Sequence, residues 1–307
     1  MPGNTRSNLI NQIKHNTTIG SLQVALGASI ISFSSVFVKW ADVSPTVSGF
    51  YRMLFGSLAL VVLLVVTRGH IRLTRRTGLF ALLASGFFAM DLFCWHYSIH
   101  WIGPGLATLL ANFQVFILAT IGIVIFREVF SLRLVTSILL AMLGLVLLIG
   151  KQWHTGTHHY QRGIALGLLT ACCYAGYVLS LRQAQSKHRW QEKLGILLVV
   201  TALCATWLGC LAASQGHSFV IPNPRSWLAL LTYGILCQCL AWACISMGLP
   251  KIPSSRVGLL LLLQPTLAFV WDLLFFAQRL TLVQSFGAIL ALMAIYVGQR
   301  SGTQRGS

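Results

Sequence analysis

Apolar runs about 20 residues long follow one another along most of the chain, with little sequence between them. A run of that length, folded as a helix, matches the hydrocarbon thickness of a bilayer, at roughly 20 residues per span. Lipid offers no partner to an unpaired backbone group, so such runs must be helices. They occupy 20–40, 46–67, 78–101, 105–126 and 131–150, then 162–182, 194–214, 226–249, 255–277 and 281–299. The pattern predicts an all-α integral membrane protein with ten transmembrane helices. Turn chemistry supports the boundaries. Ser44-Pro45 opens the second run as cap and first-turn proline. Gly103-Pro104-Gly105 divides the third from the fourth, Pro222 and Pro224 precede the eighth, and Pro250 to Pro253 precede the ninth.

Composition closes the other classes. Charged residues are 9% and hydrophobic ones 56% of 307, whereas a soluble domain carries about 25% charged residues. A soluble enzyme, a disordered chain and a secreted disulfide scaffold are excluded. The 8 cysteines all fall inside apolar runs and none shows paired metal-site spacing. They read as small reduced packing residues, and no metal or cofactor is expected. The polar first 18 residues have no small-residue cleavage site after them. They predict an uncleaved first span with 1–19 as a cytoplasmic tail.

The net charge of +17 comes from 22 Lys and Arg against 5 Asp and Glu. The basic residues cluster between apolar runs, and no stretch is long enough for a nucleic-acid-binding domain. With the N-terminus inside, Lys and Arg divide 16 inside to 6 outside, Lys39 and Arg52 among the outer ones. Positive residues favour cytoplasmic loops, so both termini, including 300–307, are predicted cytoplasmic. The expected partners are the bilayer of an inner (plasma) membrane and a small-molecule substrate. Monomer and homodimer stay open.

An offset of 150 lays residues 105–135 over 255–284, placing Gln114 on Gln264, Glu128 on Gln278 and Leu132 on Leu282. An offset of 148 places Gly86 on Gly234, Leu92 on Leu240 and Ser98 on Ser246. Consecutive helices in register indicate duplication. The expected organisation is a first repeat at 20–150, an external loop at 151–161 and a second repeat at 162–299. Five helices per repeat is odd, so the second repeat enters the membrane inverted, an arrangement found in transporters.

These features carry a resemblance. From about 20 to 299 the chain resembles the drug/metabolite transporter superfamily, in its EamA-type ten-helix branch. The carrying residues are Phe50-Tyr51-Arg52, the Gly-Pro-Gly-Leu-Ala-Thr run at 103–108, Asn112-Phe113-Gln114-Val115-Phe116, Glu128 and Gln264-Pro265. The resemblance implies ten helices, cytoplasmic termini and alternating-access transport of small metabolites. Two positions depart from the pattern. Gln278 stands where an acid is expected, and Val115 where a proline is frequent.

Polar residues inside the runs mark the candidate site. An acid at a helix centre costs roughly 2.5–3.5 kcal/mol on insertion scales, so it needs a partner or a function. Asp91 and Asp272 are the two deep acids. Asp91 shares a helical face with Phe87, Trp95 and Ser98. It reads either as a cavity group or as an acid tied into helix packing. His96 lies on another face with His100, as structural hydrogen-bonding groups or as titrating ones. Asp272 near the outer end of helix nine could pair with Lys39 or Arg279, as an interface anchor or as an outer gate. Further stripes place Ser32 with Ser35, Asn112 with Phe116, Tyr174 with Tyr177, and Gln264 with Trp271. Aromatic walls with few polar anchors suit a small amphipathic solute, although each stripe alone also fits packing. Pro265 would kink helix nine, and Gly163 with Gly167 reads as a close helix contact inside the protein. His154, His158 and His159 have a spacing that could hold a transition metal, which is weak evidence by itself.

The expected function is a secondary transporter of small metabolites, amino acids or similar amphipathic solutes or drugs. Export is the favoured direction, with proton coupling through Asp91 a subsidiary reading. Coupling or gating candidates are Asp91, His96, Lys39 and Asp272. No nucleotide-binding or hydrolase motif is visible. A membrane-embedded enzyme using Asp91, His96 and His100 and a non-transporting scaffold remain the alternatives.

Overall fold

The computed structural model describes residues 3–102, 107, 110–127, 132–149, 158–186, 188–276 and 282–300. Every regular element among them is helical. The first apolar run forms α1 (Gly3–Ile31) and α2 (Ser34–Trp40), followed by α3 (Pro45–Val66) and α4 (Arg75–Ile102). Then come α5 (Gln114–Val124), α6 (Leu132–Ile149), α7 (His158–Gln185) and α8 (Trp190–Ser214). The next rod joins α9 (Pro224–Thr232), a π-helical turn (Tyr233–Leu240), α10 (Ala241–Gly248) and a 3₁₀ turn (Leu249–Lys251). The chain continues through α11 (Ser254–Leu261), α12 (Leu263–Phe276) and α13 (Leu282–Arg300).

Among the described residues six segments are long and apolar enough to cross a bilayer: Asn16–Trp40, Pro45–Val66, Arg75–Ile99, His158–Gln185, Trp190–Ser214 and Pro224–Lys251. Gln114–Val124 and Leu132–Gly144 are shorter apolar helices. Large apolar side chains such as Val65, Val66, Leu228 and Leu282 face outward. A soluble surface would not tolerate a belt of this kind, whereas lipid does. The molecule is a multi-pass membrane protein.

The sequence boundaries need two adjustments. The first helix starts at Gly3, inside the segment expected to be a tail, and α7 starts at His158, inside the expected loop. Gly103-Pro104-Gly105, Glu128, His154, Gln278 and Arg279 lie outside the described residues.

Three runs expected as single helices are interrupted. The first breaks at Ser32–Phe33, where Phe33 N–H donates to Ile30 C=O at 3.2 Å, three residues back. Ser32 Oγ donates to Ser29 C=O at 2.5 Å. Such a bond competes with the regular ladder and bends helices. The fourth breaks at Asn112–Phe113, with Val115 N–H on Asn112 C=O at 3.1 Å. The ninth breaks at Leu262, where Pro265 has no N–H to return to the preceding turn. Residues 112 and 262 are separated by the 150-residue offset of the repeat, so both copies break at the same place. Val115 therefore shows that a break here does not require proline.

Helix packing follows the same duplication. α6 packs on α13, α3 on α8 and α5 on α11. α4 packs on α7 just as α10 packs on α1, and α4 meets α8 just as the π turn meets α3. Exchanging the two halves maps each contact onto itself or onto its counterpart. On the α4–α7 contact, Ser98 Oγ donates to Gly163 C=O at 2.8 Å, and a Cβ at Gly163 would come within 2.4 Å of Ile102. Gly163 and Gly167 thus serve close packing within the protein.

Candidate functional site

The interrupted helices meet around one cavity. It measures about 120 Å³, close to the ~150 Å³ engineered cavity that accommodates benzene. Ser32 and Ser34 reach it from the α1–α2 break, and Ala111, Asn112 and Gln114 from the break before α5. Gln264, Pro265 and Ala268 enter from α12, just past the third break. Phe88, Asp91, Leu92 and Trp95 of α4 form one wall, while Thr170 and Tyr174 of α7 and Trp242 of α10 form another. Irregular backbone at membrane depth is tolerated where it is covered by protein or lines a cavity, and here it does the latter.

Asp91 is 6% exposed. Its carboxylate receives no hydrogen bond or ion pair from the described residues. The cation on the same cavity is Arg52, 4% exposed. Arg52 Nε donates to Gln238 Oε1 at 3.2 Å, and Nη1 donates to Tyr233 Oη at 3.0 Å. Its guanidinium carbon stands 4.9 Å from the Tyr233 ring centre and 5.5 Å from that of Phe88. Gln238 in turn donates to Thr201 Oγ1 at 3.0 Å. One network thus ties α3, the π turn and α8 together around a fixed guanidinium.

Local backbone geometry makes that network possible. A Cβ at Gly56 would lie 2.5 Å from Gln238 Cγ, and one at Gly234 would lie 2.8 Å from Gly56 N. Only glycine at both positions lets α3 approach the π turn closely enough for Arg52 to reach Tyr233 and Gln238. π-Helical turns are found frequently at functional sites, and this one presents both partners of the arginine.

Two contacts cross the cavity wall, the first within the second half and the second between the halves. Gln264 Nε2 donates to Tyr174 Oη at 3.0 Å, and Trp271 Nε1 donates to Ser32 Oγ at 2.6 Å. Trp271 also stacks on Phe33, with ring centres 4.3 Å apart.

Of the residues expected at the cavity, Ser32, Asp91, Trp95, Asn112, Tyr174 and Gln264 line it. Tyr177 stands behind the wall, parallel to Phe88 at 4.0 Å. Trp271 sits beyond Gln264 on Ser32, and Phe116 packs on Phe113 with centres 5.6 Å apart. His96 lies elsewhere, 2% exposed, and neither ring nitrogen has a hydrogen-bond partner among the described residues. A Cβ at Gly49 of α3 would be 3.3 Å from its Cε1. Lys39 is exposed in the last turn of α2. Asp272 belongs to α12, and its side chain and that of His100 lie outside the described ones.

Sequence reasoning missed Arg52 as a site residue and assigned it to the outer edge. It sits seven residues inside α3 and is buried. A basic residue that deep in an apolar run is itself the signal. Gln114 was visible as the repeat partner of Gln264. Trp242 and Ser34 gave no sequence signal.

The comparisons with known proteins agree with this architecture. The EamA-like transporter family model matches residues 18–150 and again 161–297. The threonine/homoserine exporter RhtA of Escherichia coli (strain K12) is 30% identical over 158 residues, 50% of this chain. The chain spans about half of that exporter's length, 51%. The pseudopaline exporter CntI of Pseudomonas aeruginosa is 25% identical over 221 residues, 71% of this chain and 74% of that one. A solved crystal structure is similar with a TM-score of 0.78 and 16% identity, over 91% of this chain and 97% of that chain. At that identity the likeness shows the fold alone. Two copies of one family model cover most of a chain whose helices break at equivalent positions, and the chain belongs to the EamA-like transporter family, within the drug/metabolite transporter superfamily.

Proposed function

We propose that the protein exports small metabolites, amino acids above all, by alternating access across the inner membrane, and that it acts as a transporter and not as an enzyme. The observation that carries this reading is the cavity where three helix breaks converge, with an acid on its wall that has no partner among the described residues. Binding at discontinuous helices between the halves is how inverted-repeat transporters hold their solutes. The names of RhtA and CntI support export as the direction.

In this reading ten spans form two inverted five-helix repeats, at 20–150 and 162–299, with both termini cytoplasmic. The exchange symmetry of the helix contacts supports the inversion. Ser32, Asp91, Trp95, Asn112, Tyr174 and Gln264 contact the solute. Phe116, Tyr177 and Trp271 shape the wall from behind, and the Trp271–Ser32 bond closes one side of the cavity. Lys39 and Asp272 act as gating groups. Asp91 couples transport to a proton gradient because it is the acid on the solute's path, and His96 sits within two helix turns of it as a secondary coupling candidate.

The test is flux into proteoliposomes from a panel of amino acids, nucleosides and cationic drugs, with and without an imposed pH gradient. Gradient-stimulated movement of an amino acid is the expected result. Equal movement with and without the gradient removes the coupling role of Asp91. Absence of movement of every solute by correctly folded protein contradicts transport.

A further inference from the structure

Arg52 and Asp91 line one cavity with opposite charges, yet no ion pair joins them. Both are more than nine-tenths buried. Isolated buried charges are costly, and a buried pair that is not in contact recovers little of that cost. The arginine is not simply neutralised by its neighbours. A guanidinium has five N–H donors, and two are engaged by Gln238 and Tyr233, both neutral groups. Three donors, including both on Nη2, have no partner among the described residues. The carboxylate of Asp91 has no protein donor at all among the described residues. The cavity thus presents a donor cluster fixed on α3 and an acceptor fixed on α4, with space between.

We infer that Arg52 is the carboxylate anchor of a zwitterionic solute whose ammonium group is held by Asp91, which makes the substrate class the free α-amino acids. This rests on the transporter reading above and narrows its substrate. A guanidinium meets a carboxylate through parallel N–H bonds, a geometry that lysine cannot supply. Gln238, Tyr233 and Phe88 hold the fork in place, so little side-chain freedom is lost on binding. A zwitterion satisfies both buried charges at once. A cationic drug would leave Arg52 repelling it, and a simple anion would meet Asp91. The side chain of the amino acid would lie against Trp95 and Trp242, near the amide of Asn112. A volume of about 120 Å³ favours small side chains.

The test alters the solute first, so it does not depend on a variant folding. Proteoliposomes are screened with the twenty radiolabelled proteinogenic L-amino acids and with uncharged and cationic solutes. Whichever amino acid moves fastest is then competed with itself, its methyl ester and its N-acetyl derivative. The ester lacks the carboxylate and the N-acetyl compound lacks the ammonium. Each should compete at least about 10-fold more weakly than the parent, as expected when a site built for a charge is left unpaired. In Arg52→Gln the parent should weaken while the ester does not, so discrimination between them collapses. Arg52→Lys should recover part of it. A merely structural arginine would lower all competitors together.

If the ester or the N-acetyl compound competes as well as the parent, the inference is overturned and transport stands. Movement of drugs or nucleosides without any amino acid has the same meaning. If no solute of any class moves, the transporter reading falls and the inference falls with it.

Discussion

Two buried acids in this protein are treated in opposite ways. Glu192, in the first turn of α8, is surrounded by partners. His188 Nδ1 lies 3.0 Å from its Oε2, and Arg189 N–H donates to the same oxygen at 3.1 Å. Its other oxygen faces His70 Nε2 at 3.5 Å and Arg72 at 3.6 Å. Asp91, in the middle of α4, has none of this among the described residues. Glu192 stitches the segment before α4 to the start of α8, and His188 extends the stitch to Thr77 at 3.2 Å. An acid at a helix N-terminus is also favoured by the orphan N–H groups there. A charge that stabilises a fold is satisfied by the fold. A charge left unsatisfied at membrane depth is a cost that folding alone does not explain, and its satisfaction is expected to come from the solute or from a proton.

The contrast can be broken by exchanging the consequences of mutation. The largest effect is expected for Asp91→Asn. Transport should fall about 100-fold, within the range for removing one partner of a buried charge pair. The melting temperature in detergent should hold or rise, because an unpaired buried charge has been removed. A drop in stability without loss of transport would place Asp91 with Glu192 as a structural acid.

Next in size is a purely structural lesion. A Cβ at Gly144 of α6 would lie 2.6 Å from Gly287 C=O and 2.7 Å from Ala291 N on α13. Gly144→Leu should cost about 1–3 kcal/mol by overpacking, read as a lower melting temperature. The solute competition pattern of the surviving protein should be unchanged, since the described residues of α6 and α13 do not line the cavity.

Trp271→Phe removes the donor to Ser32 while keeping a ring over Phe33. Transport rate should change several-fold, on the scale of about 1 kcal/mol for one hydrogen bond, with affinity for the solute less affected. A change in affinity alone would make Trp271 a contact residue and not a closing one.

The smallest effect is expected for Glu192→Gln. It should lower the melting temperature modestly, and the loss should shrink as salt is raised, because His70 and Arg72 are exposed partners. Competition by solutes should be indifferent to it.

The parts of the molecule legible in sequence were those marked by contrast with their surroundings. Helix existence followed from uninterrupted apolar length. Asp91 stood out because it is an acid in an apolar run, and Trp95 followed one turn on. Gln264 was marked by an adjacent proline and by its repeat partner. The failures share a cause. Assigning Phe116 and Trp271 to the cavity assumed 100° per residue along unbroken helices. The breaks at Ser32–Phe33, Asn112–Phe113 and Leu262 reset that phase, so Ser34 and Gln114 line the cavity. A break in a run of good helix formers has no strong local signature, and only Pro265 announced one. Arg52 was misplaced for a different reason. Counting basic residues for orientation treats one near a helix end as part of a loop, whereas Tyr233 and Gln238, about 180 residues away, hold this one inside.

The measurement closest to the central claim is amino-acid flux in proteoliposomes under an imposed pH gradient, comparing the native protein with Asp91→Asn at matched melting temperature. The account predicts gradient-stimulated flux that disappears in the variant. Equal flux in both proteins would contradict it, as would a folded native protein that moves no amino acid.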